Sequence, residues 1–190
     1  EDYHFTILLG NPEKPMLQLN KGYSGDGGIP GYLMLSLLPN DYTLPRVQAA
    51  LAHECNHNVR FQFIKWNQQT TLADWVVSEG LAESFAAELY GKELIGPWVT
   101  STSPEQLEKI KPIISSQLQL TGMAEMAPYL YGDEIAKIQG QIPVGMPYAA
   151  GYAYGYHLIQ AYLKNTGKSI IEATVTPTEE ILEATKDFWK

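Results

Sequence analysis

Apolar residues recur along this chain first with the spacing of strands and then with the spacing of helices. Tyr3 to Leu9 is a run of aromatic, β-branched and leucine residues ended by Gly10-Asn11-Pro12, which predicts a strand and a turn. Tyr32 to Leu38 is a second short apolar run, stopped at Asn40-Asp41, and predicts a buried or half-buried strand. Between the two, residues 20–31 (NKGYSGDGGIPG) are glycine-rich and predict a surface loop. From Leu44 to Trp66 the apolar positions cover most faces of a helix, so a buried central helix is expected, with Thr43 as its cap and Pro45 in its first turn. Thr71 and Asp74 have the spacing of a capping box for a second helix, Leu72 to Tyr90, stopped by Gly91.

The remainder reads as mostly helix. Ser103-Pro104 with Gln106 opens a helix to about Leu120, in which Pro112 is a point for a kink. Met123 to Ile138 is helical but interrupted at Pro128 and Gly132, and residues 140–147 form a loop. Tyr148 to Leu163 is a further helix, and Thr176, Pro177 and Glu179 start a last one to about Phe188. A small sheet followed by helices makes an α+β protein. Its 190 residues suit one domain over 1–190, organised as two lobes: 1–95 with the sheet and 96–190 helical.

Charge narrows the partners. The net charge is -8 and no cluster of Lys or Arg occurs, so the chain lacks the basic footprint of a nucleic-acid or anionic-membrane binder. No apolar run is long enough for a transmembrane helix. The one cysteine, Cys55, rules out a disulfide within the chain and suits a reducing compartment, so a cytoplasmic location is expected, though export is compatible with the same composition. The oligomeric state is not encoded in these patterns.

The chemistry lies in the central helix, where His53-Glu54-Cys55-Asn56-His57 is an HExxH motif. Residues four apart share a helix face, so the two imidazoles can reach one zinc ion. Glu54, beside them, can take a proton from water that the metal acidifies. Catalytic zinc usually has three protein ligands, and the next helix offers Glu79 and Glu83, one turn apart among small residues. Glu79 is expected as the third ligand and Glu83 as acceptor for the outer N–H of His53, with the exchanged assignment left open. Arg60, three residues after His57, could pair with either glutamate or with a substrate carboxylate, or form a structural salt bridge. Cys55 points away from the histidines and is expected in the core. Tyr148, Tyr152, Tyr156 and His157 are candidates to steady an oxyanion, and spacing does not choose among them.

HECNHNVR fits HExxHxxR, SEGLAES fits a ligand glutamate followed four residues on by an acid, and GYSGDGGIPGYLMLSLLP, AAGYAYGY and PTEEIL complete the pattern. Together they resemble the DUF2268 family of predicted zinc-dependent proteases over nearly the whole chain, and more broadly the gluzincins, typified by thermolysin. That resemblance implies zinc bound by His53, His57 and Glu79, with Glu54 as general base and Glu83 orienting His53. It implies Tyr152 as first choice for the oxyanion, ahead of Tyr156 and His157. It also implies a gluzincin-like lobe with an edge strand along the cleft, to which an extended peptide or protein substrate could pair. The competing expectation is a zinc-binding adaptor or regulator without catalysis; the intact Glu54 favours chemistry, since holding a metal needs no such carboxylate.

Overall fold

The computed structural model describes residues 2–189. Strands β1 (His4–Leu9), β2 (Tyr23–Ile29) and β3 (Tyr32–Leu37) form one sheet in the order β1-β3-β2. β1 runs parallel to β3, and β2 runs antiparallel to it. Helix α1 (Pro15–Leu19) lies in the connection from β1 to β2. Side chains alternate along β3: Leu33, Leu35 and Leu37 are buried, while Tyr32 and Met34 are exposed. Leu35 and Leu37 pack with Ala50 of α2 (Val47–Phe63).

Residues 20–31 are therefore not a surface loop; most of them form β2. The glycines that suggested a loop are needed because the strand lies directly on α2. A Cβ on Gly25 would come within 2.2 Å of the Glu54 Oε1, and one on Gly27 within 2.2 Å of the Glu54 carbonyl oxygen. Asn58, one turn further along α2, fastens the strand. Its Nδ2 donates to the carbonyls of Gly27 (3.0 Å) and Ile29 (2.6 Å), and its Oδ1 accepts from the Gly31 N–H (3.0 Å).

The central helix is shorter than expected at both ends. Leu44–Arg46 is a 3₁₀ turn, and Ile64 leaves helical geometry after Phe63. Thr43 does not cap the helix; its hydroxyl donates to the Leu38 carbonyl instead. Helix α3 (Leu72–Tyr90) begins with the anticipated capping box of Thr71 and Asp74 and ends at Gly91. The chain continues through α4 (Pro97–Thr100), α5 (Pro104–Ser115), α6 (Met123–Tyr131) and α7 (Asp133–Ile138). It ends with α8 (Ala150–Thr166), α9 (Ile170–Thr174), α10 (Thr178–Ala184) and α11 (Lys186–Trp189), so the single terminal helix expected from Thr176 is divided at Thr185. Pro112 and Pro128 lie inside α5 and α6, so Pro128 does not break its segment; Gly132 does.

The largest apolar core lies between α3 and α8, where Leu72, Val76, Leu81, Tyr154, Leu158 and Ile159 are all buried. The two helices meet backbone to backbone. A Cβ on Gly80 would stand 2.1 Å from the Gly155 carbonyl oxygen, and one on Gly155 1.9 Å from that of Val76. No helix among the described residues is long and apolar enough to cross a membrane.

Candidate metal centre

α2 and α3 pack side by side and point His53, His57 and Glu79 at one spot, all three buried. Their donor atoms form a nearly regular triangle. His53 Nε2 and His57 Nε2 are 3.2 Å apart, and each lies 3.3 Å from Glu79 Oε2. They form the cluster of metal-ligating groups found among the described residues. A tetrahedral zinc with bonds of about 2.0–2.1 Å separates neighbouring ligand atoms by about 3.3–3.4 Å, so the triangle fits that ion and leaves a fourth position open.

Each imidazole is held from behind. His53 Nδ1 lies 2.9 Å from Glu83 Oε2, and His57 Nδ1 lies 3.0 Å from Ser78 Oγ. Glu83 is itself fixed by the Gly96 N–H (2.6 Å) and the Trp98 indole N–H (2.7 Å). Burial pulls the His53 pKa down, but hydrogen bonds to Glu79 and Glu83 with the charges of Glu54 and Glu83 outweigh it, and the net shift is well above the ordinary value. Burial raises the Glu79 pKa, yet the charge of His57 and the hydrogen bonds from both histidines hold it at about 2. Because Glu83 contacts His53 without reaching the triangle, Glu83→Gln is expected to weaken zinc binding by roughly 10–100-fold while keeping the fold. A zinc titration reads the effect, and unchanged affinity would remove Glu83 from the site.

Glu54 is buried beneath the glycines of β2, at the edge of an open cleft of about 960 Å³. Burial raises its pKa; His53 and His57 oppose this, and Glu79 and Asp26 add to it. Tyr152 lines the same cleft. Its pKa is raised well above the usual phenol value by burial, then by the charge of Glu79 and its other neighbours, so its hydroxyl keeps its proton. The Tyr152 ring packs against that of Tyr131, with centroids 6.1 Å apart, and burial and the charge of Glu79 push the Tyr131 pKa up to about 12.

Other candidates lie elsewhere. Tyr148 lines the cleft from the turn before α8, where Ala149 has φ 53, and not from the helix as expected; its hydroxyl bonds Asn20 Oδ1. Tyr156 packs with Ala87 and Val99, and Lys111 lies near enough to His157 to lower its pKa after burial, so neither faces the cleft. Cys55 is half-buried rather than a core residue. Arg60 forms none of the expected ion pairs with Glu79 or Glu83. Its buried guanidinium donates to the carbonyls of Thr174 (2.8 Å) and Thr176 (3.0 Å) and to Thr178 Oγ1 (3.2 Å). Sequence reasoning missed Ser78, Trp98 and Tyr131. Ser78 could have been found as the hydroxyl beside Glu79 on the helix facing His57; nothing local marks the other two.

A family model described as DUF2268, a predicted Zn-dependent protease, matches residues 1–183. The uncharacterized protein YjfC of Bacillus subtilis (strain 168) is 42% identical over 183 residues, which cover 96% of this chain and 60% of YjfC. The uncharacterized protein YjaZ of the same organism is 27% identical over 155 residues, 80% of this chain and 55% of YjaZ. The chain thus spans less than two thirds of the length of either relative. No solved structure matches it significantly.

Proposed function

We propose that the chain, which belongs to the DUF2268 family of predicted zinc-dependent proteases, hydrolyses peptide bonds with zinc held by His53, His57 and Glu79. The observation that carries this reading is the donor triangle of 3.2–3.3 Å with Glu54 beside it in an open cleft. Zinc supplies a Lewis acid that acidifies water and polarises a carbonyl. Glu54 takes the proton of the attacking water as the water oxygen bonds to the carbonyl carbon. The C–N bond then breaks, and Glu54 returns the proton to the departing nitrogen. β2 is an edge strand beside the cleft, and an extended substrate can add to it through backbone hydrogen bonds. Residues 1–190 act as one unit in this reading, since α3 carries Glu79 and packs on α8, which carries Tyr152.

Tyr152 donates its phenolic hydrogen to the carbonyl oxygen as negative charge builds there. Tyr152→Phe is expected to keep zinc and lower turnover by about 10²–10³-fold. Full activity in that variant would move the role to Tyr131 or to a backbone N–H.

Elemental analysis of the purified protein should give one zinc per chain. The zinc-loaded protein should then cleave members of a mixed peptide library, read by mass spectrometry. Zinc bound without cleavage anywhere in a broad library would turn the reading to a non-catalytic zinc protein.

A further inference from the structure

From His57 an arc of aromatic rings runs away from the metal centre along the cleft wall. The Phe61 ring stacks on His57 with centroids 5.6 Å apart, Trp66 lies 4.6 Å from Phe61, and Trp75 lies 4.8 Å from Trp66. All three line the cleft, and Met123 and Ala127 of α6 line it as well. Phe61 and Trp66 belong to none of the apolar clusters that build the core, and both are only half-buried. Two large rings left open beside a buried metal ligand do little for the fold, but they give an apolar side chain a surface on which to shed water.

The charge of the cleft is one-sided. Its described lining residues include Asp26, Glu54 and Glu79 and no Lys or Arg. Away from the metal, a free C-terminal carboxylate seated there would meet Asp26 and no Lys or Arg, whereas a residue within a chain brings only neutral peptide groups.

We propose that Phe61, Trp66 and Trp75 form the subsite for a bulky apolar side chain flanking the scissile bond on the His57 side, and that the cleft takes internal bonds and rejects a carboxy-terminal residue. This deepens the hydrolytic reading and rests on it, but the subsite can be tested by binding alone. N-acetylated, C-amidated hexapeptides differing only in one central residue (Phe, Leu, Ala or Asp) are titrated calorimetrically into the zinc-loaded Glu54→Gln protein, which prevents turnover. The Phe and Leu peptides should bind at least tenfold more tightly than the Ala peptide, within the range a hydrophobic pocket can discriminate. Phe61→Ala and Trp66→Ala in the same background should erase that difference with zinc content unchanged, and Trp66→Phe should keep it. A peptide ending in Phe with a free carboxylate should bind at least tenfold more weakly than its amide.

Equal affinities for the Phe and Ala peptides, including no binding by any peptide, would overturn the subsite. So would a preference that survives both alanine variants, or a free carboxylate bound as well as its amide. Preference in binding with no cleavage by the wild type would defeat the hydrolytic reading alone. Cleavage by the wild type without preference at that position would defeat the subsite alone.

Discussion

Glu54→Gln is expected to leave a folded, zinc-loaded protein whose peptide hydrolysis is lower by about 10²–10⁴-fold. Glutamine keeps the shape that Gly25 and Gly27 have been cleared to admit, so β2 has no reason to move. It also leaves all three atoms of the donor triangle in place. What it removes is the carboxylate that lines the cleft beside both histidines and stays outside the triangle. The loss should fall on kcat, because the base acts as the water attacks and not when the substrate docks. Single-turnover cleavage of a library-derived peptide, with zinc content measured on the same sample, makes the comparison. A variant that cleaves as fast as the wild type would leave an enzyme but remove this mechanism.

Gly155→Ala should be the most damaging small substitution in the scaffold. The added methyl has no free volume, because the Val76 carbonyl would stand 1.9 Å from it. α3 and α8 would have to separate, opening the main core, at a cost of about 3 kcal/mol or more. For a chain of this size that is a fall in Tm of roughly 6–12 °C. Gly145→Ala is the control: nothing lies within 4 Å of its Cβ, so only the strain of φ +87 remains, about 1–2 kcal/mol. Zinc affinity should fall with Gly155→Ala and not with Gly145→Ala, since Gly80, at the same crossing, adjoins Glu79 in sequence. Equal melting temperatures for the two variants would show that the helices have slack the structure does not suggest.

The chemistry was legible because it is helical. Positions 53 and 57, and 79 and 83, share faces by the period of the helix alone, and the capping box at Thr71 and Asp74 is a four-residue pattern. β2 was not legible. Its glycines look like those of any loop, and the reason for Gly25 and Gly27 is the side chain and the carbonyl of Glu54, far along the chain. Arg60 misled for a related cause. One turn from a ligand, it was read as a partner for a nearby glutamate, a substrate carboxylate or a structural salt bridge, but the carbonyls that hold it lie more than a hundred residues later. Tyr131 and Trp98 reach the site from α6 and α4 through packing that no periodicity announces.

The grip of Arg60 on Thr174 also joins parts of the chain that are made at different times. The two residues are 114 positions apart. At roughly 5–20 residues per second, the nascent chain carries the histidine helix for several seconds before its clasp is made. Until then the guanidinium has no protein carbonyls to replace its water, and sinking it into the interior is costly. The helix bearing His53 and His57 is therefore fully fastened only once Thr174, Thr176 and Thr178 are in place. A chain released early would carry every residue of the metal centre and still lack the fastening that holds its first helix in place. The three residues of the donor triangle are in this way all present in the chain well before the clasp that fastens the helix carrying two of them.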